Sequence, residues 1–202
     1  MQGSVYFEGL GNINGGEYDK VSVEGVGSCN GDIKTDEMLI TGVFNCSGEI
    51  EAKRLRCEGV ATIKGDILAE TIDVEGVINI KTGTKIEATS IQCEGVININ
   101  GQISADVIYS EGYMSAKEIV GDRIVIKTPV GLFTGFTGKR SKIDLIEATN
   151  IELRNVKARE VNGKDIIIGP KCRIELLDCS GTLKIDPSAF VEKITGDYTM
   201  MN

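Results

Sequence analysis

Few residues in this chain of 202 have the chemistry to act as nucleophiles, bases or metal ligands, and the kinds present narrow the possible reactions. There is no histidine, which excludes Ser-His and Cys-His nucleophile pairs and any imidazole-held zinc. Six cysteines stand at 29, 46, 57, 93, 172 and 179 without a close Cys-x-x-Cys pair. An even count would suggest disulfides in a secreted protein, so their surroundings must decide. Carboxylates recur in a fixed context, as Glu8, Glu24, Glu58, Glu75, Glu94 and Glu111 each directly precede a glycine. Residues 131 to 140, Gly-Leu-Phe-Thr-Gly-Phe-Thr-Gly-Lys-Arg, set Phe133 and Phe136 beside Lys139 and Arg140. Aromatic residues next to cations suit an interface with another protein or a membrane.

What positions these residues is a repeat. The Glu-Gly pairs, with Thr41-Gly42 filling the one gap, follow one another at intervals of 16, 17, 17, 17, 19 and 17 residues. Numbered from that pair, the third position of each rung reads Leu10, Val26, Val43, Val60, Val77, Val96 and Tyr113. The sixth reads Ile13, Cys29, Cys46, Ile63, Ile80, Ile99 and Ala116, and a second glycine follows at the eighth as Gly15, Gly31, Gly48, Gly65 and Gly101, with Gly83 displaced by one. Ile33, Ile50, Ile67, Ile86 and Ile103 are each followed two residues later by Thr35, Ala52, Ala69, Ala88 and Ala105. The rung closes with Met38, Leu55, Ile72, Ile91 and Ile108, then Ile40, Cys57, Val74, Cys93 and Ser110. The 19-residue rung carries its two extra residues near Thr82 to Lys85.

Apolar residues two apart, in three groups per rung, have the period of a strand and not that of a helix. Three short strands with glycine corners close one turn, and the next turn lies on it at about 4.8 Å. The expected fold is all-β: a single-stranded parallel β-helix, or solenoid, with rungs of about 17 residues. Residues 1–127 form the regular rungs. Residues 128–140, with Pro129 and three glycines, read as a loop or excursion. In 141–202 alternation resumes as Ile146 with Ala148, Ile151 with Leu153, Val156 with Ala158, Ile166 with Ile168, Ile174 with Leu176, and Leu183 with Ile185. This predicts two to three further, less regular rungs and a C-terminal tail, the alternative being a separate small β unit.

The repeated Gly31-Asp32-Ile33 and Gly65-Asp66-Ile67, the variant Gly48-Glu49-Ile50 and the small residue two after each Ile resemble the bactofilin family of polymer-forming bacterial cytoskeletal proteins. The similarity runs over about residues 20 to 127. The tract from Ile146 to Cys179, with Ile168-Gly169-Pro170 inside it, looks like the longer members of Gram-positive bacteria. The resemblance implies a right-handed β-helix that associates end to end into nonpolar, nucleotide-independent filaments. The chain departs from the common pattern in lacking Pro-rich tails and in adding a second half.

On this scaffold the candidate residues take definite places. Cys29 with Cys46, and Cys57 with Cys93, fall in otherwise apolar columns, as small buried hydrophobes; a Cys29 to Cys46 disulfide is the geometrically demanding alternative. Glu58, Glu75, Glu94 and Glu111 line one corner, either as solvated turn residues or as an acidic edge that binds cations or partners. Phe133, Phe136, Lys139 and Arg140 form a possible interaction loop, or the rings cover a core edge. Hexapeptide acyltransferases and related zinc carbonic anhydrases resemble this architecture but rely on His, so neither activity carries over. No catalytic residue, cofactor or metal site is expected, and the chain is not expected to be an enzyme. Five Phe, five Tyr and no Trp also disfavour a carbohydrate-cleaving groove.

A formal net charge of -8, with no basic run beyond Lys139-Arg140, speaks against nucleic acid as a partner. Residues 1 to 9 show neither the charged nor the apolar segment of a secretion signal, and no apolar run reaches spanning length. The expected location is therefore the cytoplasm, with a peripheral position at the inner membrane face as a further option. The expected partner is the protein itself, as homo-oligomer or filament, with other cytoplasmic or membrane-associated proteins beside it. The sequence presents no cap at the N-terminal end of the stack, which favours end-to-end self-assembly of a structural scaffold. The competing reading is a non-polymerising adaptor that binds partners along the acidic corner.

Overall fold

In every rung, short apolar-polar alternations are interrupted at three places, and each interruption turns the chain by one corner. The computed structural model, which describes residues 3–81, 85–129 and 139–201, shows how this closes a turn. In one representative rung, Val60–Ile63 forms the first face, and Ala61 and Ile63 point inward. Ile67–Val74 runs over both other faces, and two consecutive exposed residues, Glu70 and Thr71, mark the corner between them. Ile67 and Ala69 are buried on the second face, Ile72 and Val74 on the third. The result is a three-sided parallel β-solenoid of about 11 turns.

Successive turns lie in register. On the second face Ile33, Ile50, Ile67, Ile86, Ile103 and Ile119 stack, and on the third Met38, Leu55, Ile72, Ile91, Ile108 and Ile124. Every one of these is buried to within 2%. The core is therefore a bundle of like-residue columns, and each rung draws its stability from the rungs above and below it.

The first face departs from the expected phase. The third-position column does stack, Val43 on Val60 on Val77 on Val96 on Tyr113, but it points outward: Val26, Val43 and Val60 are 44%, 41% and 39% exposed. The inward neighbour of the sixth position is the fourth, occupied by Phe44, Ala61, Ile78, Ile97 and Met114, all fully buried. The physical reason is the pleat. With Ile63 inward, a period of two returns to Ala61, leaving Val60 on the solvent side.

The Glu-Gly corner is set by crowding and not by a left-handed backbone. Both the Glu75 and Gly76 amides donate to the Cys57 carbonyl, each at 2.9 Å, and Val77 N–H then donates to the Gly59 carbonyl at 2.8 Å. A Cβ on Gly76 would lie 2.0 Å from that same Gly59 oxygen.

Past Lys127 the stack continues. Ser115–Lys127 pairs in parallel with Lys142–Arg154, which excludes a separate β unit. Ser141–Leu153 then pairs with Val156–Ile168, and the ladder proceeds through Arg173–Cys179 and Thr182–Ile185. Where two to three rungs and a tail were expected, four first-face segments follow the excursion, because one rung is only 15 residues long, Ser141 lying on Val156. The expected tail is itself a last turn, with strands Phe190–Thr195 and Thr199–Met200. The insertion near Thr82 lies mostly outside the described residues, and register is regained across it, Val77 lying under Val96 and Ile67 under Ile86.

Replacing Gly76 with Ala should lower thermal stability by about 1–3 kcal/mol, since its methyl meets immobile backbone on the preceding rung. Thermal unfolding followed by circular dichroism checks this, and Glu75→Ala at the neighbouring solvent-facing position should change it far less.

Candidate assembly surfaces

A solenoid satisfies its backbone along its length and leaves it open at its tips. At the N-terminal tip Val5–Phe7 covers Val21–Val23 on the third face, while no strand among the described residues pairs with the outer edge of Leu10–Asn14. The core cross-section there is closed, contrary to the uncapped end expected from sequence. The Phe7 ring folds inward over Gly11 and Gly27, where any Cβ would meet it at 1.9 Å and 3.3 Å. Phe7 and Tyr18 are 8% and 6% exposed, and the Tyr18 hydroxyl donates to the Asn14 carbonyl at 2.8 Å. Glycine at the fourth position of the first two rungs is the sequence signal of this aromatic plug.

The C-terminal tip is more apolar. Ala189, Val191, Ile194 and Tyr198 pack against the core yet stay only partly buried, and Met200 is 55% exposed. No strand among the described residues covers the outer edge of this last turn.

Glu58, Glu75, Glu94 and Glu111 are all exposed along one corner. One pair of its like charges, Glu58 and Glu75, is bridged from the third face. The Arg56 guanidinium donates to Glu58 at 2.7 Å and to Glu75 at 2.8 Å, and the Tyr109 hydroxyl donates to Glu111 at 2.5 Å. In the one rung without Glu, the Thr41 hydroxyl donates to the Val23 carbonyl. Among the described residues no three carboxylates or thiols converge as metal ligands would. Beyond Glu111 the corner changes sign, to Lys127 and Arg154.

The excursion leaves at this same corner. Its neck is a small buried polar cluster that sequence reading did not pick out. Ser141 Oγ accepts from Met114 N–H at 2.9 Å and shares a 2.5 Å hydrogen bond with Thr128 Oγ1. Asn155 Nδ2 donates to the carbonyls of Thr128 at 3.3 Å and Lys139 at 3.0 Å, tying the outgoing and returning strands together. Asn155 has φ 55, a left-handed geometry Asn tolerates better than most residues. Asn at a corner that carries Gly through the first seven rungs was the available signal.

Of the expected interaction loop, Phe133 and Phe136 lie outside the described residues. Lys139 and Arg140 are exposed, and with Lys142 and Lys157 they line an open groove on the first face beside Val96, Asn98 and Tyr113. No carboxylate lines it, and none of these four cations forms an ion pair among the described residues. On a chain of net charge -8 this is a local reversal of sign.

Comparison with known proteins adds relatives but no function. The chain is 52% identical over 52 residues to an uncharacterized protein, YhbE, of Bacillus subtilis (strain 168), covering 26% of this chain and 22% of the relative. It is 33% identical over 79 residues to a second uncharacterized protein of that organism, YhbF, covering 39% of this chain and 33% of the relative. The matched segments thus span a third or less of either relative. No family model matches the chain, and no solved structure does. No helix among the described residues is long and apolar enough to cross a membrane.

The cysteines are buried and free, all six of them. Cys29 and Cys46 sit in adjacent rungs, and both thiols face the Gly31 carbonyl, at 3.4 Å and 3.5 Å. Burial, with Cys46 alongside, pushes the Cys29 thiol up to about 12. Burial above all, with a smaller push from the Glu58 carboxylate on Cys57 and from Asp73 on Cys93, takes Cys57 to about 11 and Cys93 to about 12, from 9.0. Cys46 and Cys172 are raised for the same reason. Thiols held protonated in this way make poor nucleophiles at neutral pH.

The raised values fix the sign of a pH effect. An unfolded thiol loses its proton near 9.0 while the folded one keeps it, so this stabilisation is whole below pH 9 and is lost as pH rises toward 11 and 12. Cys93→Val, which suits a column that already contains Val74, should remove about 1.4 kcal/mol per pH unit from the decline in that window. Denaturant midpoints at pH 8, 9.5 and 11 measure it, and parallel curves for the two proteins would contradict the assignment.

Proposed function

We propose that this chain is a structural, self-assembling scaffold whose copies stack end to end into polymers without a nucleotide, in the manner implied by its resemblance to bactofilins. The observation that carries the reading is the ladder edge at each end of the stack, where among the described residues no strand pairs with the outer side of Leu10–Asn14 or of the last turn. The N-terminal edge surrounds a core closed by the Phe7 ring. The C-terminal edge surrounds half-covered Val191, Ile194 and Tyr198. Backbone edges of this kind template another strand, and a second copy supplies a tip of the same triangular cross-section. The absence of histidine and the protonated, buried thiols fit a protein with no chemistry of its own. The competing adaptor would use Glu58, Glu75, Glu94 and Glu111, which Arg56 and Tyr109 already partly occupy.

The basic groove of Lys139, Arg140, Lys142 and Lys157 favours a cytoplasmic polymer lying against an anionic inner membrane face. Each cation near such a surface contributes about 1 kcal/mol.

Negative-stain electron microscopy and sedimentation velocity at rising concentration, without nucleotide, should show elongated particles that lengthen with concentration. Ile194→Glu together with Met200→Glu places charge in the last turn, which the remaining turns do not need for their own pairing, and should leave short particles with little change in Tm. A monodisperse short particle from the unsubstituted protein would favour the adaptor. Flotation with phosphatidylglycerol vesicles should recover the protein, and the quadruple change of Lys139, Arg140, Lys142 and Lys157 to Gln should abolish recovery; equal recovery with phosphatidylcholine vesicles would contradict the membrane contact.

A further inference from the structure

On several columns of this rod an outward cation meets a carboxylate of the neighbouring rung, as Lys20 meets Glu37, Lys53 meets Asp36 and Lys127 meets Glu152. On the first face past the excursion the opposite arrangement occurs. Lys142 lies under Lys157 and Lys157 under Arg173, so three cations occupy one column on consecutive rungs. The column continues from Ser115 beneath Lys142 and ends at Phe190, whose ring carries the Arg173 guanidinium at 5.3 Å. None of the three forms an ion pair among the described residues. Lys139 and Arg140 return from the excursion beside this column, and no carboxylate lines the groove they form with it. A hollow that adjoins the groove at Lys142 and Asn98 adds Lys81 and Lys117 against the one carboxylate of Asp144.

We infer that this groove is a binding site for two phosphate groups linked within one headgroup, joined directly or through a short bridge. The inference deepens the membrane contact proposed above and rests on it for the lipid source of the ligand. Like charges on rungs about 4.8 Å apart repel, and the paired columns avoid this with a carboxylate. Here the fold leaves the repulsion uncompensated, and an external anion offsets it. One phosphate between two neighbouring cations leaves the third uncovered, whereas two linked phosphates reach along the column and neutralise all three together. Arg140 and Arg173 supply planar forks that take phosphate oxygens two at a time, and the lysines supply point charges.

The length of the column selects a compact ligand. Its three cations span about 10 Å, bounded by Ser115 on one side and Phe190 on the other. An extended polyanion would need cations beyond both ends, and the column offers none. Tyr113 in the groove wall and Phe190 at the column's end add amphipathic and apolar rings of the kind that suit the boundary between a headgroup and its apolar part. Recognition of linked phosphates separates from general attraction once charge is held equal, because a surface potential depends on charge density and not on how the charges are joined.

The full chain is floated, in buffer free of divalent cations, with phosphatidylcholine vesicles that carry either cardiolipin or enough phosphatidylglycerol to give the same phosphate charge. Cardiolipin vesicles should recover several-fold more protein, and inorganic pyrophosphate should release it at several-fold lower concentration than orthophosphate of equal ionic strength. Lys157→Gln with Arg173→Gln should remove both the preference and the pyrophosphate effect with little change in Tm. The charge-matched pair Lys184→Gln with Lys193→Gln, on the other two faces, should keep both. Equal recovery at equal charge, with pyrophosphate no more effective than orthophosphate, overturns the inference and leaves the membrane contact standing. Calorimetric binding of pyrophosphate that the Lys157 and Arg173 changes abolish, without flotation on either vesicle, does the reverse and makes the ligand a soluble one. A cardiolipin preference that survives those changes, or that pyrophosphate does not relieve, also overturns the inference.

Discussion

Everything in this molecule follows from the backbone ladder between successive rungs, which holds each turn about 4.8 Å from the next and in register with it. That spacing is shorter than the width of most side chains, so a residue placed on one rung limits what the next can carry at that position. Isoleucine on isoleucine is the result on the second and third faces. Glycine on glycine is the result at the corner, where each chain passes too close to the carbonyl below for any Cβ.

The same constraint makes polar columns demanding and shows how they are resolved. Carboxylates repeated at one corner repel, and the chain answers with Arg56 set between Glu58 and Glu75 and with Thr41 where one Glu is missing. On the second face charges of opposite sign meet between some rungs, as Lys34 meets Glu51 and Lys53 meets Asp36. Such exposed pairs add little stability individually; their effect is to remove a penalty that a uniform column would impose. The polar cluster of Thr128, Ser141 and Asn155 solves a different problem, letting the chain leave the stack and return without stranding buried backbone.

A rod of this kind has few places for concave chemistry, and its distinctive surfaces are its tips, its flat faces and its corners. These differ along the molecule: a plugged N-terminal tip, a more apolar C-terminal one, a first face that turns basic past the excursion, and a corner that changes from acidic to basic at Lys127.

Rung length, strand count and the inward columns of the second and third faces were legible in sequence, because like must lie over like and the repeat is printed in every turn. The phase of the first face was less so. Val60-Ala61, Val77-Ile78 and Val96-Ile97 offer two adjacent apolar positions, and only the pleat, counted back from the sixth position, says which faces in. The number of turns past the excursion was also hidden, since a 15-residue rung breaks the spacing while the ladder absorbs it. What the sequence by itself determined is the repeat and the absence of any imidazole, since both are properties of residue order and residue type. The closure of the N-terminal core by Phe7, the joining of the excursion's two ends through Asn155 and the gathering of Lys139, Arg140, Lys142 and Lys157 in one groove were decided only in three dimensions. Each unites residues whose distance along the chain says nothing of their distance across a rung.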